Sequence, residues 1–317
     1  RNCDWSSDVC SSDLIFSDPR VGLKYLIDDD TSLKLNWGRY HQFMTIANPQ
    51  DENLRFIDIW MAIPEENKIP FSDHTILGIE HLSAKNILYR LEVYHKSFDN
   101  LITLKQGNLF LEGDDGMIQF SPFNDFYETD AYAYGLEGFI QKKAGTVTGW
   151  AAYTYAVTRW KTELHDWYAP KFDRPHILNI VGDWQWTPKT HIGLTVSYAT
   201  GNPYTEVQGR IQNWGEKYWI NYLNWWQRDG LLVGEKNAAR FPDYFRIDVN
   251  FTKRKSLKNG GFREWYFQII NVTNHLNALM YIYDTEYDEQ TGQALGMRRA
   301  GLPMFPIFPT FGMRIQF

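Results

Sequence analysis

An all-β, antiparallel transmembrane β-barrel is the fold class this sequence predicts, and three observations predict it. The chain ends on a period-two apolar stripe, Phe311, Met313, Ile315 and Phe317, interleaved with Gly312, Arg314 and Gln316. About eleven runs of β-like pattern follow one another from Pro19 onward. The connections between them alternate between short and long. Successive side chains of a strand point to opposite faces, so such a stripe can face lipid while its complement faces a lumen.

The totals are compatible with that reading. The chain has 317 residues and a formal net charge of −6, which allows one large domain or two ordinary ones. Aromatics make up 16%, including 13 Trp and 19 Tyr. That excess suits membrane-interface girdles, and it also suits sugar-binding surfaces. Mean hydropathy is −0.45, and no apolar run reaches the roughly 18 residues of a membrane-crossing helix. A barrel strand needs only about 10 residues, half of them facing the lumen. The mild acidity and the lack of a basic stripe argue against nucleic acid as a partner.

The candidate strands, in order, are 19–26, 31–43, 73–82, 87–99, 131–142, 146–160, 175–187, 191–200, 241–254, 261–273 and 307–317. Several alternate cleanly. In the sixth, Ala151, Tyr153, Tyr155 and Val157 form a stripe. In the seventh, Leu178, Ile180, Trp184 and Trp186 oppose Asn179, Asp183 and Gln185. In the eighth, Ile192, Leu194, Val196 and Tyr198 oppose Gly193, Thr195 and Ser197. In the ninth, polar and apolar residues take opposite faces from Arg246 to Thr252.

Short connections fall at Asp28-Asp29-Asp30, Ser83 to Asn86, Lys143 to Gly145, Pro188-Lys189 and Lys255 to Gly260. They carry the Gly, Asn, Asp and Pro that hairpins require. Long connections cover about 44–72, 100–130, 161–174, 201–240 and 274–306. Short turns at one end and long loops at the other match an outer-membrane barrel, short on the periplasmic side and long outside. A soluble β-sandwich would explain the alternation. It would not explain the rhythm, and its strands are usually about 5–6 residues long.

Residue 1–14 form a separate segment with no strand or helix period, containing both cysteines, Cys3 and Cys10. It resembles translated sequencing-adapter sequence and is excluded from the fold reading. The alternative is a disordered polar tail with an optional disulfide. The structural domain is then 15–317. No signal peptide is present, so a missing N-terminus is expected.

No catalytic constellation stands out, and no cofactor or metal is expected. His41, His74, His81, His95, His165, His176, His191 and His275 are scattered and fit no metal-ligand spacing. No Gly-rich phosphate loop or nucleophile elbow occurs. Asp28 to Asp30 suit a solvated hairpin, and Asp114 with Asp115 is either a solvated loop pair or a calcium-binding pair. The unusual stretch is Asn213 to Arg228, in the longest connection, with Trp214, Tyr218, Trp219, Tyr222, Trp225 and Trp226. Such rings can stack on a sugar, a macrocycle or an aromatic chelate, or they can pack the loop against itself. Trp184 and Trp186, near a periplasmic turn, suit an interface girdle. Arg90, Glu92, Lys96, Glu137, Arg246, Asp248 and Asn250 are expected to face the lumen. An Arg or Lys facing lipid at mid-depth would cost roughly 2–4 kcal/mol.

A family resemblance emerges from the order of several motifs. Pro19-Arg20-Val21-Gly22-Leu23-Lys24-Tyr25, Thr31 to Lys34 and Gly38-Arg39-Tyr40 resemble the mid-barrel of TonB-dependent outer-membrane receptors. Tyr134-Gly135-Leu136-Glu137, with Gly149-Trp150 and Tyr153-Thr154-Tyr155, resembles the family's next hairpin. Phe172 to Asn179 resembles a strand start of the form D-R-x-H-x-L-N, and Ala199 to Tyr204 resembles a TGNPYT-type strand exit. Tyr244 to Asp248 and Ile270 to Asn274 resemble the penultimate hairpin. Phe317, with Phe311, Met313 and Ile315, resembles the C-terminal assembly signal. The resemblance covers 15–317; each motif is weak by itself, and their order and spacing are specific.

The resemblance implies a barrel of 22 strands with a plug inside it, of which this chain is the C-terminal half, about 11 strands, without the plug. It implies a receptor/transporter of the bacterial outer membrane, not an enzyme, importing an iron-siderophore, cobalamin or glycan. Implied partners are outer-membrane lipid, the TonB complex through the missing plug, the barrel assembly machinery at the last strand, and the small-molecule or glycan ligand. Lumen charges in the family line the passage and hold the plug. A passive porin-like or adhesin barrel is the first alternative. A barrel-embedded hydrolase is the second, and it would need an acid/His cluster at the extracellular rim.

Overall fold

The computed structural model describes residues 16–46, 60–63, 67–104, 110–112, 118–120, 126–212, 229–257, 260–287, 290 and 294–316. Eleven strands form one antiparallel sheet. In chain order they are β1 (Arg20–Leu26), β2 (Thr31–His41), β5 (Phe71–Leu82), β6 (Ile87–Leu104), β9 (Phe126–Lys142), β10 (Val147–Lys161), β11 (His176–Thr187), β12 (Thr190–Ala199), β17 (Tyr244–Ser256), β18 (Phe262–Ile270) and β21 (Phe308–Gln316). Each pairs with its neighbours in that order, so the sheet is an up-and-down meander with β1 and β21 at its ends. The intervening numbers are short strands in the long connections: β3 (Met44–Ile46) with β4 (Trp60–Ala62), β7 (Phe110–Glu112) with β8 (Ile118–Phe120), β13 (Pro203–Tyr204) with β16 (Ala239–Arg240), β14 (Val207–Gln212) with β15 (Asp229–Val233), and β19 (Ala278–Tyr287) with β20 (Ala294–Pro303).

All eleven expected strands are present. Three differences have physical causes. β6 and β9 run on together into the expected 100–130 loop, because the ladder resumes past an irregularity between Phe98 and Leu101. The skipped Asn100 takes φ 58° there, as a bulge residue can. The expected strand 261–273 stops at Ile270, since Asn271 turns left-handed at φ 54°. The expected loop 274–306 contains the β19–β20 hairpin.

The register gives the sheet two chemically distinct faces. Leu33, Ile79, Leu91, Gly138, Tyr153, Leu178, Tyr198 and Phe245 lie in one cross-strand row. A parallel row runs Val147, Trp184, Ile192, Phe251, Phe267 and Phe311. Many of these large side chains are exposed: Leu91 at 46%, Trp184 at 47%, Phe311 at 85%. So much contiguous apolar surface is unlike the surface of a water-soluble monomer. The opposite face carries the polar set and the tight packing. Gly135 lies under the Tyr94 ring and the Tyr155 carbonyl, where any Cβ would clash.

The short connections are tight turns. Asp28 accepts the Asp30 N–H at 2.9 Å, and the Ile27 N–H reaches the Thr31 carbonyl at 2.9 Å. Asn86, at φ 56°, closes onto the Ser83 carbonyl at 2.9 Å. These local bonds set the hairpin register, which in turn decides which face every downstream residue takes.

Candidate ligand site at the long-loop end

The seven residues expected in the lumen all fall on the polar face. Arg90 donates to Glu80 at 3.0 Å, and Lys34 reaches the same carboxylate at 3.0 Å. Glu92 stands opposite Glu137 in the β6–β9 register. Arg246 pairs with Asp248 at 3.0 Å, and Asp248 also accepts the Asn271 N–H at 2.9 Å. Asn250 donates to the Thr252 hydroxyl at 3.2 Å. Lys96 lies over the Tyr94 ring at 4.9 Å. The loop aromatics Trp214, Tyr218, Trp219, Tyr222, Trp225 and Trp226 lie outside the described residues, as do Asp114, Asp115 and Phe317. Phe311, Met313 and Ile315 are on the apolar face and exposed.

A cavity of ≈ 370 Å³ opens on the polar face toward the long-loop end. Its walls include Tyr40 from β2, Tyr94, Lys96 and Phe98 from β6, Trp160 from β10 and Phe172 from the following loop. Ala133 lies between them, and its small side chain leaves the space open. The register explains the gathering: Tyr40, Ser72, Phe98, Ala131 and Trp160 are cross-strand neighbours, as are Gly38, His74, Lys96, Ala133 and Thr158. Trp160 meets Phe172 edge-on at 5.6 Å. His74 packs against Tyr40 at 4.8 Å and Phe98 at 5.9 Å, and its buried Nε2 has no hydrogen-bond partner. Arg20 lies over the outer side of Tyr40 at 4.4 Å. Lys96 has no carboxylate partner among the described residues. Aromatic walls with a cation suit a flat, electron-rich or anionic ligand.

Beside the cavity, the long connections are clamped together. The Asp173 carboxylate is fully buried and accepts the Thr158 N–H at 2.8 Å. Arg240 binds the same carboxylate and donates to the Asp173 carbonyl at 2.7 Å and the Gly201 carbonyl at 3.1 Å. Arg159 approaches it at 3.5 Å. Arg174 donates to the Asn202 side chain. Gly201 sits against the Phe241 carbonyl so closely that no Cβ fits. Asp243 accepts the Tyr198 hydroxyl at 2.7 Å and the Gly201 N–H at 3.1 Å. Those two bonds, the one from Tyr198 foremost, hold its carboxyl below the usual aspartate range. Farther out, Tyr204, Phe241 and Tyr281 cluster at 4.6–5.2 Å, and Arg299 stacks on Tyr281 at 4.5 Å while donating to the Tyr204 hydroxyl at 3.0 Å.

Sequence reasoning placed Lys96 on this face but missed the ring of aromatics around it. Their parity was a usable signal: Tyr94, Phe98 and Trp160 are large rings at positions whose neighbours in the pattern are polar or small. The 172–179 and 199–204 motifs marked the clamp without showing that Arg240 joins them.

No sequence-family model matches the chain, and no curated protein matches it by sequence. Solved structures do match it in shape. One is the pyoverdine outer membrane receptor FpvA of Pseudomonas aeruginosa PAO1 bound to pyoverdine, with 13% identity and a TM-score of 0.58 over 95% of this chain and 36% of that one. Another is the ferric-catecholate import receptor Fiu of E. coli K12, with 10% identity and a TM-score of 0.56 over 94% of this chain and 34% of that one. A third is the ferric citrate transporter FecA in its unliganded form, with 9% identity and a TM-score of 0.56 over 94% and 37%. At such identities the likeness establishes the fold: this sheet has the antiparallel β-barrel architecture of those receptors. The chain spans about a third of the length of the structures it matches.

Proposed function

We propose that this chain is the C-terminal part, residues 15–317, of the barrel of a TonB-dependent outer-membrane receptor that imports a scarce, bulky ligand. The apolar face meets lipid, and Arg90, Glu92, Lys96, Glu137, Arg246, Asp248 and Asn250 line the lumen. The short turns lie on the periplasmic side and the long loops outside. A plug preceding the barrel couples import to TonB, and the last strand, with Phe311, Met313, Ile315 and Phe317, engages the barrel assembly machinery.

The observation that carries the reading is the aromatic cavity beside Lys96, open toward the long-loop end of the polar face. A ligand entering from outside meets it before the Lys34–Glu80–Arg90 network nearer the short turns. Trp214, Tyr218, Trp219, Tyr222, Trp225 and Trp226 supply earlier contacts from the longest loop. Among iron-siderophore, cobalamin and glycan, the cavity favours an iron chelate with aromatic or anionic donors. Tyr94, Phe98 and Trp160 stack on its rings, and Lys96 offsets negative charge.

The test is uptake by the full-length protein in cells lacking their own receptors, offered radiolabelled ferric catecholate, hydroxamate and citrate chelates, cobalamin or oligosaccharides. Uptake of one ligand that stops when TonB is deleted is the expected result. Diffusion of many small solutes that persists without TonB would instead establish the porin-like alternative. Lys96→Ala combined with Trp160→Ala should weaken binding of the imported ligand about tenfold or more.

A further inference from the structure

The β17–β18 hairpin carries an excess of positive charge on a chain that is acidic as a whole. Residues 253–265 include five cations, Lys253, Arg254, Lys255, Lys258 and Arg263, against one carboxylate, Glu264, in a protein of net charge −6. Register sorts these charges by face. Arg254 and Glu264 are cross-strand neighbours on the polar face and pair at 3.5 Å. Lys253, Lys255 and Arg263 take the apolar face, are exposed, and have no carboxylate partner among the described residues.

Two rows on that face record a change of environment. Lys253 stands beside Trp265 and Met313, one step toward the turn from the Phe251, Phe267 and Phe311 row. The next step places Lys255 directly opposite Arg263. Like charges opposite one another destabilise a sheet unless an anion sits between them. Arg263 lies at 5.6 Å from the Trp265 ring, so its guanidinium is held at the end of the apolar band. An aromatic belt directly bordered by cations marks the level where hydrocarbon gives way to headgroups.

We infer that Lys253, Lys255 and Arg263 form a binding site for the phosphate of an anionic phospholipid in the periplasmic leaflet, its acyl chains lying along Phe251, Trp265 and Met313. The inference rests on the outer-membrane placement proposed above. Charge complementarity selects an anion, and the continuous apolar rows above the cations select one that carries hydrocarbon. Lys and Arg both recognise phosphate oxygens, Arg in bidentate fashion.

The experiment places the full-length protein in bilayer nanodiscs of zwitterionic phosphatidylethanolamine with a minor share of phosphatidylglycerol. Lipids retained after mild detergent release are counted by native mass spectrometry. The wild type should retain phosphatidylglycerol in excess of its share. The Lys253→Gln, Lys255→Gln, Arg263→Gln variant should retain about tenfold less of it. Lys253→Arg with Lys255→Arg, which keeps the charge, should behave as wild type and so controls for folding, as should Lys85→Gln with Lys143→Gln in two other turns. Equal retention by the triple Gln variant and the wild type would overturn the site. So would displacement of the lipid by millimolar inorganic phosphate, which would make the ligand a free anion. Failure of the wild type to enter the bilayer at all would instead sink the membrane placement itself.

Discussion

Asp173 shows how a single side chain organises the loop end of this sheet. With no exposed surface, its carboxylate holds Arg240, Arg159 and the Thr158 N–H together. Asp173→Ala leaves two arginines without their counter-charge and should lower unfolding stability by about 1.5–3 kcal/mol. A denaturant titration measures this, and an unchanged midpoint would refute the clamp. Asp243 makes the same end acid-sensitive. Its carboxyl titrates below its ordinary value when folded. Its contribution is therefore fully present above the unfolded aspartate pKa of about 3.9, and it disappears as pH falls through the lower folded value. Asp243→Asn should flatten the fall in denaturation midpoint between about pH 5 and pH 2; a parallel fall in both proteins would remove Asp243 from that role. Neither role was legible in sequence. Asp173 and Arg240 are 67 positions apart, and only folding brings them together.

At the scale of the strand, adjacent residues meet opposite surroundings. Arg90 pairs with Glu80 on the polar face, while Leu91, one position on, is exposed between Ile79 and Gly138 on the apolar face. Leu91→Arg should reduce the stability of the bilayer-inserted protein by about 2–4 kcal/mol. Glu92→Gln, on the polar face, relieves repulsion by Glu137 and should gain about 0.2–1 kcal/mol. Equal effects in a lipid-vesicle refolding assay would refute the assignment of faces. This level was largely readable beforehand, because period two is a local property and the hairpin turns are local as well. The bulge at Asn100 and the extended β6–β9 ladder were not, since they depend on how two strands align beyond the turn that joins them.

Among the described residues the eleven-stranded sheet has two free edges. Within that set β1 and β21 each pair on one side only, and every residue of β1 is exposed. Unpaired strand edges cannot stand in hydrocarbon, where no water satisfies them. Refolded by itself in detergent, this chain should associate through those edges and fail to give a compact, heat-modifiable monomer; a stable monomer by light scattering would contradict this. The alternation of its residues and the rhythm of its turns determined the strand count, the order of the meander and the two faces, because each is set by neighbours in the chain. Only the tertiary structure decided which rings surround Lys96 and that Arg240 closes on Asp173. Those contacts join residues from different hairpins, and their partners are chosen by the register of the assembled sheet, which no single segment contains.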